Sequence, residues 1–333
     1  MQLWQALLLG ALQGVSELFP VSSLAQVILW PAILGWNIDY TGTHFLSFVV
    51  ALHLATAIAL FIFFWREWRT VILAYVGSIS HRKFVYDRDS KFAWLLVAGT
   101  ILAGLFGLVF EKPLQRFFED PSIFWLTAVL LVLNGVFMLF GEYLRRRSAA
   151  LSPASAVAAG DSAALAQGPA YLQSQAAMST MTTNPGQPAT VNPQPSAINL
   201  DGSKRAEDLT FPQGAAIGAT QILALIPGIS RSGVTIVGGL FSGLSHEEAA
   251  RFSFMLATPI IGLAALLKLP ELVQSDVRDQ LPITIAAALV AGVVAYLSIR
   301  FLMRYFQTKR LDPFGYYCIV FGLFSLVILL VRG

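Results

Sequence analysis

The residues able to do chemistry fall in two short strings. The first, LQGVSELFPVSS, sets Gln13 and Glu17 four residues apart and places Ser22 and Ser23 just after Pro20. The second, PGISRSGVT, gathers Pro227, Gly228, Ser230, Arg231, Ser232, Gly233 and Thr235. Both strings are set in apolar sequence, where a charge at a helix centre costs about 2.5 to 3.5 kcal/mol to insert. Glu17 and Arg231 are therefore expected to have a partner or a task. Gln13 and Glu17 share one helix face and can point together into a cavity. Arg231, among hydroxyls and backbone donors, suits a bidentate clamp on phosphate. The plainer alternative is a structural Glu17–Arg231 pair that ties the two strings together.

Each string also predicts a break in a helix. Pro20 and Pro227 remove a backbone donor and push Phe19 and Ile226 out of helical geometry, and Gly228 permits a sharp turn. Ser22 or Ser23, and Ser230, then stand as N-caps of a second half-helix. Irregular backbone at membrane depth is tolerated only where it is buried or lines a wet cavity. Two helix N-termini facing one cavity favour an anion such as phosphate. Gly10, Ala11, Gln13 and Ser22 answer to Gly218, Ala219, Gln221 and Ser230, and SFVVA from Ser47 answers to SFMLA from Ser253. The halves thus read as repeats, each a re-entrant broken hairpin plus three spans. An odd number of spans makes the second copy enter upside down, the inverted-topology arrangement of many transporters.

Composition supports a membrane setting for these elements. Of 333 residues, 56% are hydrophobic and 12% charged, against about 25% charged in soluble domains. The fold class expected is an all-α polytopic membrane protein. Residues 1–147 form the first repeat, with a hairpin at about 2–36 and spans at about 45–65, 92–110 and 123–143. Residues 209–333 form the second, with a hairpin at about 211–243 and spans at about 246–269, 281–302 and 313–331. The stretch 148–208 between them is poor in large apolar side chains and reads as a disordered cytoplasmic linker. Arg66, Arg69, Arg82, Lys83, Arg88 and Lys91 put the first loop inside, as do Arg145 to Arg147 for the linker and Arg300, Arg304, Lys309 and Arg310 for the last loop. The net charge of +3 is thus a topology signal and does not imply nucleic acid. The N-terminus lacks the basic region of a signal peptide and belongs to the fold. The single cysteine, Cys318, is expected to pack in the core, and His53 to be a hydrogen-bonded core histidine. His44, His81 and His246 lie near span ends without an evident role, and Gln221 either satisfies opened backbone or lines the cavity.

Together the two motifs resemble bacterial undecaprenyl-diphosphatase, the bacitracin-resistance type of lipid phosphatase. The likeness takes in Gln13, Glu17, Pro20, Val21, Ser22 and Ser23, the PGISRSGVT string, and FSFMLATP from Phe252 to Pro259. It implies hydrolysis of undecaprenyl diphosphate at the outer, periplasmic face of the cytoplasmic (inner) membrane, recycling the lipid carrier of cell-wall synthesis. By that resemblance Ser23 is the nucleophile or its neighbour, and Arg231, Ser230 and Thr235 hold the diphosphate. Glu17 moves a proton or binds a divalent cation, Mg2+ or Ca2+. Gln13, Ser22, Gln26, Ser232 and Gly233 complete the substrate-binding set. Where the family usually has a histidine after the serines, this chain has Gln26, which cannot serve as a general base. With Gln13 in place of a second carboxylate, weaker cation binding is expected. Two other readings fit the same residues: an isoprenoid-phosphate transporter or flippase, and a non-catalytic protein that binds the carrier lipid. The partners implied are a polyprenyl diphosphate and the bilayer, and the sequence leaves a homo-oligomer open.

Overall fold

The computed structural model describes residues 1–40, 43–118, 120–150, 203–268 and 280–332. The described residues are helical throughout, apart from loops, short 3-10 turns and an isolated bridge between Lys204 and Leu244. The chain opens with two short apolar helices, α1 (Leu3–Ser16) and α2 (Ser23–Leu34). Long helices follow as α3 (Thr43–Phe63), α5 (Arg88–Phe118) and α6 (Phe124–Ala150), with α4 (Trp65–Ser80) between the first two. Farther along the chain come two more short helices, α7 (Phe211–Thr220) and α8 (Arg231–Phe241). The chain finishes with α9 (His246–Lys268), α10 (Leu281–Tyr305) and α11 (Asp312–Arg332). Among the described residues six helices, α3, α5, α6, α9, α10 and α11, are long and apolar enough to cross a membrane. The protein is an all-α, multi-pass membrane protein.

The short helices sit deep because small residues let them approach the spans. On α1, a Cβ at Gly10 would stand 2.4 Å from the Ala287 carbonyl oxygen of α10. On α7, a Cβ at Gly218 would stand 2.2 Å from the Gly99 Cα of α5. On α10 the facing stripe is Ala287, Ala291 and Ala295, all fully buried. Close backbone approach over such stripes is how helices associate in lipid, where tails are as apolar as leucine and hydrophobicity alone does not drive them together.

Two expectations about the loops change. The basic stretch after α3 holds a helix, α4, separated from α3 by Phe64 alone. It buries Val71, Ala74 and Ser78 and exposes Ile72, Leu73, Val76 and Ile79, an apolar surface that the count of loop charges hid. Most of the expected linker lies outside the described residues, but its two ends do not behave as one. Helix α6 runs on to Ala150. At the far end, Ala206 and Leu209 are fully buried, Arg88 pairs with Asp208, and Glu207 takes a 2.8 Å bond from Arg251. The Lys204 amide donates to Gly243 O at 3.0 Å, so the last residues before α7 are folded against α5, α8 and α9. Their apolar anchors and charge partners are distant in sequence, and composition alone could not register them. Cys318 is buried, as expected.

Candidate functional site

The first break follows α1. Glu17 to Pro20 form a turn, in which the Val21 amide reaches Phe19 O at 2.7 Å. Ser22 occupies the N-cap position of α2 at φ 59 without a side-chain capping bond, a departure from the expected cap. A non-glycine residue at positive φ costs about 1 to 2 kcal/mol and persists only where its surroundings impose it. The second break follows α7. A 3-10 turn over Gln221–Leu225 gives way to extended Ile226 and then to Gly228 at φ +105. A side chain there would meet Leu130 Cβ at 2.6 Å and Thr127 O at 2.8 Å, so both the turn and the contact with α6 require glycine. Ser230 caps α8 as expected, accepting from the Gly233 amide at 3.2 Å.

The two breaks lie side by side, joined by Asn134 of α6. The Asn134 amide oxygen accepts from the Ser230 backbone N–H at 3.0 Å, and its NH2 donates to Pro20 O at 3.3 Å. Ser232 adds a hydroxyl bond to Phe19 O at 3.3 Å. Backbone groups freed by each break are thus satisfied across the junction, which is the condition for burying irregular backbone. Asn134 was not among the expected site residues. Its only signal in the sequence is an isolated amide inside an otherwise apolar run.

Where the breaks meet, Glu17 is the hub. It is 7% exposed, and both of its oxygens are engaged. Oε1 accepts from Arg231 at 2.7 Å. Oε2 accepts from the Ser23 hydroxyl at 2.5 Å and from Gln13 Nε2 at 3.0 Å. His53 of α3 brings its Nε2 to 3.3 Å from the same Oε2. The expected core histidine does bond Val49 O, at 2.8 Å through Nδ1, but its other nitrogen belongs to this cluster. The burial of Glu17 is compensated by a guanidinium and three further polar groups, without which an ionised carboxylate would not be held there.

The other expected residues divide between facing the hub and supporting it. Ser230 and Ser232 share a 3.1 Å hydroxyl contact and are buried. Gly233 is spent on the cap. The Thr235 hydroxyl bonds back to Arg231 O at 2.7 Å and meets Ser253 at 2.5 Å, which fixes the first turn of α8 from behind. Gln26 is fully buried, donating to Val21 O at 3.0 Å and accepting from Tyr317 at 2.8 Å and Trp30 at 3.1 Å. It is a bracket for the first break, and its amide does not reach Glu17. Gln221 lies against α5, with Nε2 at 3.5 Å from Gly99 O.

Chemically, the cluster offers a hydroxyl on a carboxylate and a cation beside it. The Ser23 proton already points at a base. Arg231 NH1 is buried without a hydrogen-bond partner, although the neighbouring NH2 is engaged by Glu17. An unsatisfied guanidinium N–H at the opening turn of α8, where the helix dipole is positive, is a donor prepared for an anion. The expected ligation of a divalent cation by Glu17 does not fit this donor set. Both carboxylate oxygens face hydrogen-bond donors, one of them cationic, and no group of three His, Cys, Asp or Glu among the described residues could hold a metal.

Known proteins resemble this chain over nearly its whole length. The family model described as bacitracin resistance protein BacA matches residues 6–324. A Mycolicibacterium paratuberculosis protein named undecaprenyl-diphosphatase is 42% identical, with 98% of this chain and 97% of that one covered. A Frankia alni protein named undecaprenyl-diphosphatase 2 is also 42% identical, over 96% and 95% of the two chains. A Burkholderia ambifaria protein of the same name is 38% identical, over 98% and 96%. On a family match spanning nearly the whole chain, together with relatives aligned over almost their full length, this chain belongs to the BacA family of bacitracin resistance proteins.

Proposed function

We propose that this protein hydrolyses undecaprenyl diphosphate to undecaprenyl phosphate and inorganic phosphate, recycling the carrier lipid and so conferring bacitracin resistance. The names of its relatives support the substrate. The observation that carries the chemistry is the Ser23 hydroxyl on Glu17 at 2.5 Å with Arg231 on the opposite carboxylate oxygen. Glu17 takes the Ser23 proton as Oγ attacks the terminal phosphorus. Arg231 NH1 and the opening turn of α8 hold the phosphate oxygens as charge builds on them. The bridging oxygen departs with its electron pair on the lipid monophosphate.

Gln13 holds Glu17 in register by its 3.0 Å bond. Any charge screening by Mg2+ or Ca2+ would fall on the substrate, because the oxygens of Glu17 are committed. The site faces the outer side of the cytoplasmic membrane, the orientation that the basic loops support. A flippase or a lipid-binding protein would need the Arg231 donors but has no use for a serine hydroxyl held on a base. The Ser23–Glu17 bond therefore favours hydrolysis over both.

The test is release of phosphate from undecaprenyl or farnesyl diphosphate by protein purified in detergent with Mg2+ or Ca2+. The wild type should release phosphate and Arg231→Ala should not. Equal release from the two would sink the proposal, and lipid flux in proteoliposomes that survives Ser23→Ala would favour the flippase.

A further inference from the structure

His53 makes an ion-pair contact that a packing role does not explain. Its Nδ1 lies 2.8 Å from Val49 O, and a carbonyl can only accept, so Nδ1 carries a proton. In a neutral ring Nε2 would then present its lone pair to Glu17 Oε2, 3.3 Å away. Two lone pairs would repel, so this ion-pair contact is favourable with Nε2 protonated. Glu17 accepts from Arg231 on Oε1 and from Ser23 and Gln13 on Oε2, which favours its ionised form at rest. A protonated ring there leaves the carboxylate between a guanidinium and an imidazolium. The His53 side chain is 27% exposed against 6% for Glu17, so the ring stands on the open side of the cluster.

The charged groups facing His53 are Glu17 and Arg231. Helix α9, packed on α3, pairs its Arg251 with Glu207 and Glu248 and its Glu247 with Gln307. On α10 the charges, Arg300 and Arg304, fall in the last turns. Gln26 is turned toward Val21, Trp30 and Tyr317 and makes no bond to Glu17.

We propose that His53 is the acid and base that complements Glu17 in the phosphatase reaction, delivering its Nε2 proton to the departing lipid phosphate and recovering it from water. The inference rests on the phosphatase reading above. When Glu17 takes the Ser23 proton, its charge is lost and the imidazolium is released from its ion pair. The Ser23 Oγ–P bond forms and the bond from phosphorus to the bridging oxygen breaks. The electron pair stays on that oxygen, which takes the His53 proton. In the second half, water gives a proton to neutral His53 as its oxygen bonds to phosphorus. The Oγ–P bond breaks and Ser23 recovers its proton from Glu17. One water is consumed and the resting protonation is restored.

His53→Gln tests this directly, since glutamine keeps a donor toward Glu17 but cannot carry the proton. With farnesyl diphosphate as the probe, kcat should fall about 100-fold or more while KM stays within about threefold. The fall of wild-type kcat at alkaline pH, where the imidazolium is lost, should disappear in the variant. Added imidazole should restore turnover to His53→Ala, which also separates loss of the proton carrier from loss of fold. A His53→Gln variant with wild-type kcat and pH profile would overturn the proposal, as would a defect confined to KM or a His53→Ala variant that imidazole does not rescue. An inactive wild type would instead defeat the phosphatase reading itself.

Discussion

The two broken segments share a pattern and do different work. Gly10 and Gly218 match in sequence, and each brings a short helix against a span closely enough that a methyl group would collide with backbone. Gln13 and Gln221 also match, yet Gln13 donates to the Glu17 carboxylate and Gln221 to the Gly99 carbonyl of a neighbouring helix. Ser230 is a regular N-cap, whereas its counterpart Ser22 sits at positive φ without a capping bond. The first break supplies the base and the hydroxyl, and pays for them in backbone strain. The second supplies the cation and a well-capped helix N-terminus. Close approach is a property of the backbone that either segment needs in order to sit deep. The polar side chains lie beyond that constraint and are where the two diverge.

This division of labour can be broken from its largest effect downward. Removing the base should matter most: Glu17→Gln leaves Ser23 without an acceptor for its proton and is expected to lower kcat/KM about 1,000-fold in the phosphate-release assay. Loss below about tenfold would mean that the base is elsewhere. Cutting the stitch between the breaks comes next. Asn134→Leu leaves the Ser230 N–H buried and unpaired and Pro20 O with only the Cys318 thiol as donor. It should cost about 2 to 4 kcal/mol of stability, read as a lowered unfolding temperature in detergent, with reduced turnover as well. Gly218→Ala forces a methyl group into Gly99 and should destabilise by about 1 to 3 kcal/mol in the same melt, with kcat little changed in the protein that remains folded. The smallest effect sharpens the comparison most. Gln13→Ala should lower kcat about tenfold, while Gln221→Ala should leave it within about twofold. Equal effects would show that the matching glutamines share one role.

Much of this arrangement was legible in the sequence, and the exceptions have physical causes. Helix geometry fixes residues four apart on one face, so the Gln13–Glu17 contact followed from spacing alone. The Ser230 cap and the turn at Gly228 followed from local backbone chemistry. Burial of two opposite charges in apolar sequence demanded partners, and Glu17 and Arg231 found each other. His53 and Asn134 were harder because one polar residue in a span gives no sign of which way it faces. Only the packing of α3 and α6 against the breaks turns them inward. Thr235 shows the converse, since membership of a motif does not say where a hydroxyl points. Its bond to Arg231 O is the usual one for a helical threonine. The choice between Ser22 and Ser23 also waited on the structure, where the Ser23 hydroxyl lies on Glu17.

The central claim is that the two breaks form one site, with a base from the first and a cation from the second. A double-mutant cycle on kcat/KM with Glu17→Gln, Arg231→Ala and the pair measures that directly. If the residues act as a unit, the double variant should be impaired about as much as the worse single variant, because either loss alone disables the site. Fold-losses that multiply would mean that Glu17 and Arg231 work independently, and the account of a single shared site would be wrong.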